Sequence, residues 1–443
     1  MSDYYPIASE TTRMKESCHL TQPPLKHVAH YAIALALLLA CARGSYAAAA
    51  ETAPHTDATT EVAQATPPAP PAAPAPASTT PDTTTPAATP AAAPAAPTWS
   101  VGPVDLSGFI DVYYSYNANR PSSEINQLYN FDDYTDQFNL EAAKLTLNHD
   151  PDPVGAHLDV IFGRTNTDIH ANSSFEGADD SYIEQAFISV KPPKAKGFEI
   201  DFGQFVTSAG QEVIETMSNW SYSHGLLFTN AIPYYHFGLR TSLPATKTWT
   251  VGLQLVNGWN NVVANNGGVT VGLTSALVKP KYSWSVNYYV GPQNAATQKG
   301  YRNLFDTTLL LTPNAKFNAY VNYDYGQNRT GAVAKTVSTP AIKAVSLHWQ
   351  GVAFSARGQV TPNAALVGRY EYFYDQGNQT GVKQHIDEFT GTYEYKWPVG
   401  LLLRAEYRRD WSSNNYFQKG TYETVGAQST ATIGLIAFFG PKR

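Results

Sequence analysis

Arg404, Glu406, Arg408 and Asp410 occupy every second position of one short segment, and Arg369 and Glu371 repeat the spacing in another. Successive side chains of a β-strand point to opposite faces, so spacing by two puts each set on one side of a strand. Charges ranked this way face water. They can line a wet passage and set its field for solutes, or they can pair across strands and only stabilise a wall. Other candidates for chemistry are thinner. The acid pairs Asp132-Asp133, Asp179-Asp180 and Asp387-Glu388 suit cation binding or acid–base work, but solvated charge is the plainer reading. The eleven histidines are dispersed and show no metal-ligand spacing. A nucleophile with a base has one weak candidate set: Ser221 with His224 or His236. There is no HExxH, GxSxG, P-loop or CxxC pattern. No catalytic residue, metal ligand or cofactor site is therefore assigned.

The elements that must hold the charges are long, two-faced segments. In 401–411, Leu401, Leu403, Ala405, Tyr407 and Trp411 oppose the four charged residues. Leu366, Gly368, Tyr370, Tyr372 and Tyr374 oppose Arg369, Glu371 and Asp375. Phe389, Gly391, Tyr393 and Tyr395 oppose Glu388, Glu394 and Lys396, and Phe317 to Tyr325 alternates in the same way. A soluble, carbohydrate-binding β-sandwich is one home for such a pattern. Two features favour a membrane barrel. The segments exceed the usual five or six residues of a sandwich strand. Trp249, Trp259, Trp284, Trp397 and Trp411 gather near segment ends, as in the aromatic girdles of transmembrane barrels.

Sixteen such segments are predicted: 105–117, 137–149, 155–165, 181–191, 197–206, 232–243, 247–258, 269–279, 282–291, 301–312, 315–327, 341–358, 361–374, 384–397, 399–411 and 426–439. The connections alternate. Short Pro- or Gly-punctuated turns, such as Pro280-Lys281 and Pro362-Asn363, interleave with the longer polar stretches 118–136, 166–180, 207–231, 259–268, 292–300, 328–340, 375–383 and 412–425. The fold class is therefore all-β, a closed antiparallel transmembrane β-barrel of about sixteen strands with both ends on the short-turn side. The third long connection differs from the rest. It is helical in look, carries Glu212 and Glu215 with no Lys or Arg, and turns apolar at Leu226-Leu227-Phe228. It either folds inward to narrow a pore or caps the neighbouring loops.

Composition agrees. Charged residues make up only 15% of 443, yet no apolar run of eighteen or more follows residue 50, which rules out a helical multi-span membrane protein. A net charge of −6 without a basic run argues against nucleic-acid binding. The two cysteines, Cys18 and Cys41, exclude a disulfide framework for the rest of the chain. Residues 1–47 read as an export signal: basic residues, the apolar run 31–42, then Ser45-Tyr46-Ala47 as a cleavage site. Met14 offers an alternative start. Lipidation at Cys41 and an uncleaved anchor are the alternative fates. Residues 48–98 are nearly all Ala, Pro and Thr with no aromatic, a disordered spacer. Residues 99–443 form the folded part.

Several stretches together resemble the OmpL-like beta-barrel porin family of bacterial outer membranes. They are residues 107–117 with Arg120-Pro121, Phe138-Asn139 through Leu145, 155–163, Gly203-Gln204-Phe205, Gly210-Gln211-Glu212, 219–223 and 231–238. Where that family often carries an arginine after the Tyr-Ser pair, this chain has His224. The resemblance implies an outer-membrane porin, with the spacer in the periplasm, no cofactor, and no catalytic residue to carry over. Its expected partners are membrane lipid and small hydrophilic solutes, with a homotrimer as the expected assembly by analogy. The alternative is a barrel that presents its external loops as an adhesin or hydrolase.

Overall fold

The computed structural model describes residues 100–170, 182–295, 297–330 and 344–440. The proposed signal (1–47), Met14, Cys41, the spacer (48–98), the pair Asp179-Asp180 and the chain end 441–443 lie outside them, as do parts of the loops 166–180 and 328–340.

Sixteen strands form the wall: β1 (Val104–Asn117), β2 (Phe138–His149), β3 (Val154–Phe162), β4 (Ile183–Val190), β5 (Glu199–Val206), β6 (Tyr235–Pro244), β7 (Trp249–Val256) and β8 (Thr270–Lys279). The second half is β9 (Tyr282–Gly291), β10 (Arg302–Asn314), β11 (Phe317–Arg329), β12 (Ser346–Thr361), β13 (Ala364–Gln376), β14 (Lys383–Trp397), β15 (Leu401–Ser412) and β16 (Ala427–Phe439). Each pairs antiparallel with its chain neighbours, and β16 pairs with β1, from Phe439 opposite Gly108 to Thr430 opposite Asn117. The sheet is thus closed. Closure satisfies the backbone hydrogen bonds of every strand, which a hydrocarbon surround cannot do.

Every predicted strand is present, with ends displaced by at most five residues and 282–291 matched at both. The largest displacement is the start of β12, at Ser346 instead of 341. Small elements in the long connections escaped the alternation: helix α1 (Arg164–His170), helix α2 (Leu226–Asn230), a 3-10 turn at Thr216–Ser218, and a hairpin of Phe417–Lys419 with Glu423–Val425. They are too short to show a helical stripe or a run of alternation.

Burial is inverted relative to a soluble protein. On β13, Leu366 is 55% exposed while Arg369 is 1% exposed; on β16, Ile433 is 58% exposed while Thr432 is 3%. Apolar side chains face out and polar ones face in, the arrangement a lipid surround demands. Outward Trp249 and Trp284 mark the short-turn rim. Their indole N–H groups donate to Ser275 Oγ and Thr307 Oγ1 on the next strand, each at 2.9 Å. Outward Tyr325, His348 and Tyr374 stack in series on β11–β13 toward the opposite rim. Trp259 departs from the expected girdle. It is 8% exposed and sits edge-on to inward Trp349 at 6.1 Å, with the Arg302 guanidinium 4.9 Å over its ring.

Candidate functional site

The barrel interior is crossed by residues 207–234, the third long connection. Between its two short helical turns, this segment has almost no regular structure with which to satisfy its own backbone. Buried N–H and C=O groups need partners, and the wall supplies them from charged side chains. Arg404 on β15 donates to the carbonyls of Thr216, Asn219 and, at 3.1 Å, Ser221. Glu406 accepts the N–H groups of Tyr222 (2.7 Å) and Ser223 (3.0 Å). Arg369 donates to the carbonyl of Ser223 (2.6 Å), Arg408 to that of His224 (2.6 Å), and Glu371 accepts from Leu227 N–H (2.9 Å). Wall arginines hold loop carbonyls and wall glutamates hold loop amides, in register along β13 and β15.

The other side of the segment is fixed too. Gly210 N–H donates to Asp306 on β10 (3.0 Å), Gln211 N–H to Asn322 on β11 (3.1 Å), and Asn287 on β9 donates to the Ser208 carbonyl (2.8 Å). Tyr222 donates its hydroxyl to Asp111 on β1 (2.8 Å), and inward Trp349 donates to the Ala231 carbonyl (3.1 Å). The lumen is therefore bridged from β9–β11 to β13–β15 and β1.

Glu212 and Glu215, the acids expected on this segment, are both engaged. Glu212 binds Arg369 at 2.6 Å and accepts the Gly225 N–H at 2.7 Å. Glu215 meets the Lys144 ammonium of β2, which also contacts Asp159 (2.8 Å) and Glu184 (2.5 Å). Asp159, Glu184 and Glu215 converge closely enough to suggest a metal site, but Lys144 already supplies the cation at their centre. Of Arg369, Glu371, Arg404, Glu406, Arg408 and Asp410, none faces open water. Arg369, Arg404 and Arg408 are each 1–2% exposed, and Asp410 accepts from Arg408 at 2.8 Å. Glu388 and Glu394 on β14 complete the set, against Arg369 (3.1 Å) and Arg404 (2.8 Å).

Sequence reasoning missed Lys144, Asp111, Tyr222 and Trp349. Lys144 lies in the poorly alternating β2, where Glu141 is an extra residue between Leu140, opposite Val112, and Ala142, opposite Asp111, and so breaks the period. The thin hydrolase set does not assemble. Ser221 Oγ has no hydrogen-bond partner; His224 Nε2 lies 2.8 Å from the Val213 carbonyl and His236 Nδ1 lies 2.8 Å from that of Gly258.

An external layer closes over this core. Phe131 in the first long loop is fully buried against His224, Phe228 and Tyr234. Asp133 receives a two-pronged contact from Arg164 of α1 (2.8 and 2.7 Å), and Asp168 accepts the Phe131 N–H (3.1 Å). Burial pushes the Asp168 carboxyl up to about 6, nearby Asp133 adds to the rise, and Arg164 opposes it. Burial likewise holds Asp132 well above the usual carboxylate range.

On the β3–β10 side, a cavity of about 380 Å³ remains between the wall and residues 206–214. Arg240 stands on this wall between the rings of Phe187 (5.0 Å) and Phe205 (4.6 Å) and is paired with Asp201 at 2.6 Å.

A closed sixteen-stranded barrel with an apolar outer belt and a segment bound across a polar lumen defines a transmembrane porin-type barrel. The chain belongs to the family described as "Putative beta-barrel porin-2, OmpL-like", whose model matches residues 103–439. Among solved structures it is similar to the outer membrane channel DcaP of Acinetobacter baumannii, at 12% identity and a TM-score of 0.50 over 76% of this chain and 97% of that one. It is also similar to Salmonella typhi OmpF in complex with daunomycin, at 14% identity and a TM-score of 0.50 over the same shares. The anion-selective porin of Comamonas acidovorans matches at 12% identity, 0.48, and 76% and 99%. No curated protein matches.

Proposed function

We propose that the barrel lets small hydrophilic solutes diffuse across an outer membrane, with residues 207–234 setting the width of the passage. One observation carries this reading. The segment is held in the lumen mainly by side chains bonded to its backbone, so the wall builds a fixed constriction inside a wide barrel. The gradient of the solute supplies the driving force; the protein supplies a wet path and a size limit. Residues 1–47 act as the export signal and 48–98 as a periplasmic spacer, which agrees with a barrel whose first strand starts at the short-turn rim. Homotrimer assembly belongs to the same proposal. The outward register row Ala319, Ala356, Gly368 and Gly391 carries nothing larger than a methyl across four neighbouring strands, beside outward Asp387 and Arg409. Cross-linking in native membranes tests the trimer. Single-channel recording tests the passage: deletion of 210–222 raises conductance, and unchanged conductance counts against the constriction.

A further inference from the structure

The charged and uncharged halves of the lumen do different work. Across β7, β8 and β9 the sole charged residue is Lys279, at the short-turn rim, where it donates to Thr248 Oγ1 at 2.9 Å. The polar inward residues there that line the cavity are Thr250, Gln254, Thr274, Ser283, Ser285 and Asn287. The charged groups that reach the cavity from its other sides are already matched, Arg240 with Asp201 and Glu212 with Arg369, and the His157 ring lies 3.0 Å from Asp159. Three residues that line the cavity carry a buried side-chain oxygen without a hydrogen-bond partner: Ser242 (Oγ), Gln254 (Oε1) and Thr308 (Oγ1). They are 9%, 2% and 4% exposed. The cavity volume falls within the roughly 300–1,000 Å³ of small-molecule sites.

We propose that this cavity is the solute subsite and that it selects neutral, hydroxyl-bearing solutes such as sugars and polyols over charged solutes of the same size. The assignment rests on the channel reading above. A charged solute gives up part of its hydration here and finds no free carboxylate and a single ammonium, that of Lys279 at the rim, and an unpaired ion is costly away from water. A hydroxylated neutral solute exchanges water for the Ser, Thr and Gln oxygens at little cost, since the two hydroxyls donate or accept and the amide oxygen accepts. The charges that made a field-lined pore plausible are spent on the opposite wall, holding the loop.

The test uses full-length protein in liposomes with an osmotic challenge of glucose, glucosamine or glucuronate. Glucose enters at least about threefold faster than either charged analogue, because an unpaired charge loses hydration along this wall. In planar bilayers under a KCl gradient the reversal potential stays near zero. Gln254→Glu and Thr308→Asp each shift that potential toward cation selectivity and slow glucuronate further; retained heat-modifiable mobility on gels confirms that each variant is folded. Equal entry of all three solutes, or strong ion selectivity in the unaltered protein, overturns the assignment and leaves the channel standing. Absence of both swelling and conductance removes the channel reading itself.

Discussion

Glu406 accepts the backbone N–H of Tyr222 through one carboxylate oxygen and that of Ser223 through the other. Thr392 of the neighbouring strand donates to the same carboxylate at 2.7 Å. One wall side chain thus stands in for the secondary structure that the inner segment lacks at its midpoint. Glu406→Ala leaves two buried donors orphaned, each costing about 1–3 kcal/mol. The expected outcome is local. Residues 213–225 become susceptible to protease and single-channel current grows noisier, while the barrel still migrates as folded. A segment as resistant as in the unaltered protein would show that apolar packing, not these bonds, holds it.

Gly434 on β16 makes the same point sterically. A Cβ there would lie 1.9 Å from the Tyr222 ring, so Gly434→Ala expels the ring and breaks its bond to Asp111. Conductance rises with barrel folding intact. The control is Gly358→Ala, where a Cβ meets nothing and nothing changes.

The Lys144 ammonium sits among Asp159, Glu184 and Glu215, and Lys144 is 7% exposed. Removing one partner of a buried ionic set costs about 3–5 kcal/mol, because the remaining charges are left unmatched. Lys144→Met therefore lowers the urea midpoint of the refolded barrel. Adding Glu215→Gln to it recovers part of the loss, and that recovery separates the ionic role of Lys144 from simple packing.

The strands were legible in the sequence because membrane strands must obey a period of two over their whole length. Where the lumen side is charged, as at Arg404 to Asp410, the period is unmistakable. The occupant of the lumen was only half legible. Glu212 and Glu215 marked an unusual loop, but nothing local says that Arg369, more than a hundred residues away, binds the Ser223 carbonyl. The six charges on β13 and β15 look alike whether they face water or a loop backbone; only the three-dimensional path of residues 207–234 decides. Lys144 was obscured for a different reason, since the bulge at Glu141 throws the alternation of β2 out of phase.

The outer belt gives a prediction with a built-in contrast. Ile433 faces out from the middle of β16 and Thr432 faces in. Lysine on the lipid face near mid-bilayer costs roughly 2–4 kcal/mol. Ile433→Lys lowers the yield and the unfolding midpoint of protein refolded into lipid vesicles. If it folds as well as the unaltered chain, this face does not meet acyl chains.

The external layer responds to pH in a direction fixed by Asp168. Its carboxyl rises from 3.8 in the open chain to about 6 in the fold, chiefly through burial. The folded state therefore holds the proton more tightly between these values. Stability from this group grows as pH falls from about 6 toward 4 and is lost as pH rises through 6, the reverse of an ordinary salt-bridged aspartate. Asp168→Asn keeps an acceptor for the Phe131 N–H and removes the titration. Melting of the unaltered protein in detergent, followed from pH 7 to pH 4.5, contains an upward contribution that the Asn variant lacks, so the difference between the two curves widens in favour of the unaltered chain as acid is added. A difference that stays flat across this range would mean that Arg164 keeps Asp168 ionised throughout.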